Sequence, residues 1–282
     1  MTLAYTLSNI VYKYGNQTAL SLNHLEIGDN KTTALIGPNG SGKSTLLHLL
    51  AFLNKPTLGN IHFFNISANA KNLARLRNRV GFVSQKPYLF RGSVLDNIEI
   101  ALKLRGCARP ERLKKATEAL EKLKIFHCAD QQASQLSGGE RQKTALARIL
   151  ALEPEVLILD EPFSYLDQAG AQKLEKFIDS YAGTLVFSTH NRLQGLALAD
   201  DVISLVNGEP IQTPLVNLFH GSVHNNIFIA DNMEIVLPGQ IDEGQHASID
   251  PAEIVLSKQA LHSSMRNHYH GRITSITEER GR

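Results

Sequence analysis

The sequence has no tryptophan, and aromatic residues make up only 6% of it. That scarcity argues against a platform on which the bases of a single strand stack. An excess of one charge sign is missing too: 29 Lys and Arg stand against 27 Asp and Glu. A net charge of +2 leaves no electrostatic footprint for a polyanion, so no nucleic acid is expected as a partner. The two cysteines, Cys107 and Cys128, are too far apart for a CxxC pair and lack a histidine cluster at metal-finger spacing. They read as ordinary reduced thiols. No apolar run approaches the ~18 residues of a membrane span. The start of the chain lacks the basic segment and apolar core of a signal peptide. The expectation is a cytosolic chain, held at a membrane only by a partner.

With 43% hydrophobic residues in 282, the chain can bury a sizeable core as one large domain or two small ones. Leu7, Ile10 and Tyr12, then Leu20, Leu22, Leu25 and Ile27, alternate with polar residues and predict two antiparallel strands. Thr33–Ile36 is continuously apolar after its first residue, as a strand buried on both faces requires. A glycine-rich turn follows, then a helical pattern over Ser44–Leu53. Gly59–Phe64 and Val80–Ser84 read as further strands. From Ser93 to about Leu152 the apolar period lengthens to that of helices, with Pro110 opening one of them. Strand signals resume at Val156–Leu159, Thr184–Phe187 and Val202–Val206, and this alternation implies an α/β core with parallel strands. After Pro214 helical periodicity fades. Short strands are expected at Ile227–Ile229, Glu234–Leu237 and Glu253–Leu256.

The chemistry concentrates in two short segments. Gly37, Pro38, Asn39, Gly40, Ser41, Gly42, Lys43, Ser44 and Thr45 fit G-x-x-x-x-G-K-[ST] between a buried strand and an amphipathic helix. Glycines let backbone N–H groups turn inward around a phosphate, and the helix N-terminus adds partial positive charge. Lys43 can reach the β- and γ-phosphates of a nucleoside triphosphate, and the Ser44 hydroxyl can join the shell of a magnesium ion, Mg2+. Val156–Leu159 then delivers Asp160 and Glu161 from the end of a buried strand. Asp160 would hold Mg2+, and Glu161 would polarise the attacking water as general base. A second anion-binding helix end is expected at Ser137, Gly138 and Gly139, ahead of the helical pattern Thr144–Leu150. Two such ends in one chain suggest that the second serves a nucleotide held by another copy.

Leu136–Glu140, in sequence order between the glycine turn and the acids, is the segment by which residues 1–214 resemble the ATP-binding cassette ATPases. The resemblance implies the fold class: a P-loop NTPase α/β core with an antiparallel β subdomain and a helical subdomain at about 86–152. Residues 215–282 are expected to form a small C-terminal β-rich accessory domain. By the same resemblance Gln85 is the Q-loop glutamine, shared between catalysis and Mg2+, and Ser164–Asp167 is the D-loop, in which Asp167 ties two sites together. His190 is the switch histidine at the γ-phosphate, and Tyr14 is the aromatic that stacks on adenine. Ser137, Gly138, Gly139 and Glu140 form the signature, acting on ATP held by the other subunit of a head-to-tail dimer.

The compact insert after Gln85 and the single cassette favour a transporter subunit over repair, chromosome or ribosome-associated cassettes. Lys86–Ile98 looks like the segment with which importer ATPases meet an integral membrane permease, with Tyr88, Leu89 and Phe90 as exposed contacts. An extracytoplasmic substrate-binding protein and a peripheral location at the cytoplasmic face of the membrane are implied with it. Ser263–Asn267 followed by Gly271 resembles the opening of a molybdate-binding (Mop-type) β-barrel, in which Ser264, Arg266 and Asn267 would contact an oxyanion. Val216–Leu237 leans toward tungstate-type subunits. The stretch after Gly271 is too short for the remaining strands of such a barrel, so the accessory domain reads as incomplete. The expected cargo is tungstate or molybdate. The alternatives are another anion or a metal ion, or a soluble cassette without a membrane partner.

Overall fold

The computed structural model describes residues 2–211, 217–230, 233–237 and 246–249. Tertiary contacts divide the chain into two compact units, Met1–Pro214 and Leu215–Arg282.

The first unit opens with β1 (Leu3–Tyr14) and β2 (Gln17–Gly28), an antiparallel pair as their alternation predicts. β3 (Thr32–Ile36) is buried along its whole length. Then come α1 (Lys43–Leu50), β4 (Leu58–Phe63), β5 (Ile66–Ser67), α2 (Leu73–Arg77) and β6 (Val80–Val83). The helical stretch is α3 (Val94–Leu104), α4 (Arg109–Lys122), two single 3-10 turns and α5 (Gly138–Leu150). The unit closes with β7 (Val156–Leu159), α6 (Gln168–Asp179), β8 (Thr184–Thr189), α7 (Arg192–Leu198), β9 (Asp201–Val206) and β10 (Glu209–Ile211).

Two sheets organise this unit. A six-stranded sheet runs β10-β9-β3-β8-β7-β6, parallel except at the β10 edge. A four-stranded antiparallel sheet runs β2-β1-β4-β5. The pleat of the central strands sends alternate residues to opposite faces. Val156 and Ile158 of β7, with Val186 of β8, join one core with Tyr5, Leu7, Leu20 and the α1 leucines, so α1 is packed with the antiparallel sheet. Leu157 and Leu159, with Leu185 and Phe187, face the other core, built with α3, α4, α5 and α6. Leu157→Ala is expected to cost about 2–5 kcal/mol, since its side chain is fully buried in a strand paired on both sides. Urea unfolding of the variant measures this.

Two local expectations are corrected. The apolar run to Leu53 predicts a longer α1, but the helix stops at Leu50. Phe52 turns to φ 56, and the N–H groups of Leu53 and Asn54 both bond back to the His48 carbonyl. That turn delivers the Phe52 ring to Tyr5 and Phe63. Leu89, expected to be exposed, is 7% exposed and belongs to the helical core. Its neighbours Tyr88 (71%) and Phe90 (40%) do face solvent. Arg148 of α5 steadies them: it donates to the Tyr88 carbonyl at 2.9 Å and lies over the Phe90 ring at 5.5 Å.

In the second unit β11 (Asn217–His220) pairs with β15 (His246–Ile249), and β12 (Ser222–His224), β13 (Ile227–Ala230) and β14 (Met233–Val236) form a meander. Asn225 and Asn226, at φ 50 and 65, make the two-residue turn between β12 and β13. Phe228, Ala230 and Ile235 form its small core. The strand expected at Glu253–Leu256 and the oxyanion candidates Ser264, Arg266 and Asn267 lie outside the described residues. Among the described residues no helix is long and apolar enough to cross a membrane.

Candidate functional site

The parallel strands end at a common edge, and the turn after β3 occupies it. Gly37 has φ 152, and a Cβ there would collide with the Leu205 carbonyl of β9, so only glycine lets the turn start this close to the sheet. Gly42 caps α1 at φ 99, and a Cβ would come 2.9 Å from the Ala19 carbonyl. Between them Lys43, 6% exposed, donates to the carbonyls of Gly37 at 2.8 Å and Pro38 at 3.1 Å. Its ammonium is therefore folded into the turn. The buried Ser41 hydroxyl has no hydrogen-bond partner among the described residues. A buried orphan hydroxyl in a glycine-rich turn that leads into the N-terminus of α1 is what an anionic ligand would satisfy.

A cavity of about 470 Å³ opens over this turn. Asn39, Gly40, Ser41, Gly42, Lys43, Ser44 and Thr45 line its floor, and Tyr14, Gln85, Glu161 and Asn207 lie on its walls. Its size suits a small-molecule ligand. Tyr14 is 55% exposed at the end of β1, with its ring edge-on to Tyr12 and its hydroxyl 3.5 Å from Thr45 Oγ1.

The two acids at the end of β7 face different partners. Asp160 Oδ1 accepts hydrogen bonds from Ser44 Oγ at 3.1 Å and Ser188 Oγ at 2.7 Å. Ser44 and Asp160 thus bring a hydroxyl and a carboxylate together, the hard-oxygen donor set that suits Mg2+. Glu161 is only 8% exposed, at φ 44, a conformation uncommon for a residue with a side chain. Its Oε2 lies 2.9 Å from His190 Nδ1, and its Oε1 lies 3.7 Å from Lys43 Nζ. Oε1 accepts no hydrogen bond among the described residues. Gln85 Nε2 approaches Ser164 Oγ at 3.4 Å, and that hydroxyl lies 3.5 Å from Glu161 Oε2.

Ser188 escapes the sequence reading. It donates to Asp160, and its hydroxyl oxygen accepts the Glu161 N–H at 2.8 Å, so one side chain fixes both acids. The available signal is its place: a hydroxyl closing the apolar run of β8, two residues before His190.

Ser137, Gly138, Gly139 and Glu140 do not line this cavity. They form the N-terminus of α5, where Ser137 and Glu140 make a reciprocal capping box. Glu140 Oε2 accepts from the Ser137 hydroxyl at 2.6 Å and its N–H at 2.9 Å, and these bonds hold the carboxyl below the usual range. Gly138 and Gly139 face Tyr165 and Leu166, so the turn after Glu161 runs to the α5 terminus. Asp167 caps α6, accepting the Gly170 N–H at 2.8 Å. The structure therefore gathers Gln85, Asp160, Glu161 and His190 at the glycine turn and leaves the α5 N-terminus apart from it.

The family model described as ABC transporter matches residues 20–164. The energy-coupling factor transporter ATP-binding protein EcfA of Onion yellows phytoplasma is 38% identical over 217 residues, covering 76% of this chain and 80% of its own. The sulfate/thiosulfate import ATP-binding protein CysA of Vibrio cholerae is 37% identical over 283 residues, covering 94% of this chain and 74% of its own. Among solved structures, the dimeric ATP-binding cassette MJ0796 bound to ADP and Pi in a post-hydrolysis state is 30% identical. It superposes with a TM-score of 0.68 over 74% of this chain and 97% of that one.

Proposed function

The chain belongs to the ABC transporter family of ATPases, and from that premise we propose that it is the ATP-hydrolysing subunit of an importer, working as a head-to-tail pair on an integral membrane permease. The observation that carries the catalytic reading is the buried Glu161 carboxylate, held between His190 Nδ1 at 2.9 Å and Lys43 Nζ at 3.7 Å beside the cavity.

In this reading residues 1–214 are the cassette, and the cavity takes ATP. The Tyr14 ring stacks on adenine, the backbone of Gly37–Thr45 cradles the phosphates, and Lys43 neutralises their charge. Ser44, Asp160 and Gln85 hold Mg2+, which offsets phosphate charge when bound. Glu161 takes a proton from the attacking water as its oxygen bonds to the γ-phosphorus. The bond from that phosphorus to the bridging oxygen breaks, leaving ADP and inorganic phosphate. His190 orients Glu161 and reaches toward the γ-phosphate, and Asp160 is itself positioned by Ser188. Ser137–Gly139 complete the site of the partner copy, because in their own chain they stand away from the cavity. Asp167 links the two sites. ATP binding closes the pair and hydrolysis reopens it, and this cycle gates the permease.

Docking to the permease falls to Tyr88 and Phe90, the exposed aromatics that Arg148 of α5 steadies. The subunit then sits peripherally at the cytoplasmic face, and an extracytoplasmic binding protein delivers cargo. We assign that cargo to tetrahedral oxyanions, with tungstate or molybdate first. The support is the resemblance of Ser263–Asn267 to an oxyanion-binding opening, with residues 215–282 as the accessory domain. The Vibrio cholerae relative, named for sulfate/thiosulfate import, handles ions of the same chemistry. ATPase stimulation in the reconstituted transporter tests this, with tungstate, molybdate and sulfate each presented by the binding protein. Stimulation by tungstate or molybdate above sulfate is expected. Equal response to all three, or to none, removes the assignment.

A further inference from the structure

One group of side chains has no part in this scheme as metal ligands, although it contains three different ligand types. Cys128 ends the 3-10 turn Phe126–Cys128, and Glu140 lies in the first turn of α5. The ligand atoms of His127, Cys128 and Glu140 all lie within 4.8 Å of one another. We propose that these three residues form a site for a thiophilic divalent cation of the zinc class.

The geometry requires little movement. Cys128 Sγ and Glu140 Oε1 are 3.4 Å apart. Tetrahedral zinc with bonds of about 2.3 Å to sulfur and 2.1 Å to oxygen would hold them about 3.6 Å apart. The two carboxylate oxygens already have separate tasks: Oε2 caps Ser137, and Oε1 faces the thiol. A cation can thus bind Oε1 while the cap stays in place. Cys128 is fully buried, Glu140 is half-buried and His127 is exposed, so the approach is from the solvent side, with water in the fourth position. A donor set of one sulfur, one nitrogen and one oxygen selects zinc-like ions over Mg2+, which prefers oxygen alone. Binding turns the Cys128 thiol into a thiolate and releases one proton to solvent.

The sequence hides this site because its ligands come from separate segments, and no CxxC or His-x-His spacing announces it. The test is titration of the metal-free full chain with Co2+ in excess Mg2+, which fills hard-oxygen sites. A thiolate-to-cobalt charge-transfer absorption should grow to one ion per chain and disappear on adding Zn2+. Histidines of residues 217–282 can bind cobalt but give no such absorption. Cys107→Ser should keep it, and Cys128→Ser should lose it. His127→Ala, an exposed change that leaves the core intact, should weaken cobalt binding at least about tenfold, the loss that outer-shell changes already produce. Its ATPase rate with Mg2+, in buffer free of zinc and cobalt, should match the wild type. No thiolate absorption in the wild type, its survival in Cys128→Ser, or unchanged affinity in His127→Ala would overturn the proposal.

Discussion

Glu161→Gln should slow ATP hydrolysis roughly 10²-fold or more while leaving ATP binding intact. The substitution preserves volume in a position that is only 8% exposed and held at φ 44. The amide can still hydrogen-bond His190, so the local packing survives. What it cannot do is accept a proton from water. The loss therefore falls on the chemical step: kcat drops, and nucleotide affinity holds or rises, because the carboxylate that faces the phosphates has lost its charge. Phosphate release under saturating ATP, paired with a nucleotide titration, separates the two effects. A wild-type rate would take Glu161 out of the general-base role and leave its contacts with Lys43 and His190 as purely structural.

Lys43→Ala should act on the other side of that division. Charge-assisted hydrogen bonds contribute about 1.5–3 kcal/mol, or about tenfold to a hundredfold in affinity. The variant should bind ATP more weakly by at least that factor. Two further costs add to it. The Gly37 and Pro38 carbonyls lose their donor, and the Glu161 carboxylate loses the ammonium 3.7 Å from its Oε1. Lys43→Arg is no remedy, because the site leaves Lys43 only 6% exposed and a guanidinium is larger. Nucleotide titration of both variants decides the matter, and unchanged affinity in Lys43→Ala would undo the phosphate-cradle assignment.

Legibility in the sequence followed the way chemistry is laid out along the chain. β3 and β7 were readable because parallel strands buried on both faces are continuously apolar, and the glycine turn and the acid pair directly follow them. The starts of α3 and α5 were readable from the helical period that begins at Ser93 and resumes after Ser137–Gly139, while the capping boxes at Ser93 and Ser137 emerge only in the structure. Contacts between distant segments were not readable. Ser188 reads as an ordinary strand residue until β8 lies beside β7 and its hydroxyl meets both acids. Leu89 sits among residues that look like one exposed patch, and only the packing of the helical core shows that it turns inward. α6 escaped because a sparse apolar stripe, with Leu174 and Ile178 as its buried members, gives little periodic signal. Family resemblance placed His190 at the γ-phosphate, but its contact with Glu161 was not readable, since the residues between them hold no cue that the two meet.

The central claim is that one chain holds half of each catalytic site, with Lys43 and Glu161 at the cavity and Ser137–Gly139 on the α5 terminus outside it. Sedimentation of the Glu161→Gln protein with ATP tests it most directly, because slow turnover keeps the nucleotide intact. The account predicts a dimer carrying two ATP, a monomer with ADP, and loss of the ATP dimer when Ser137→Ala is added. A chain that stays monomeric while fully loaded with ATP would contradict it.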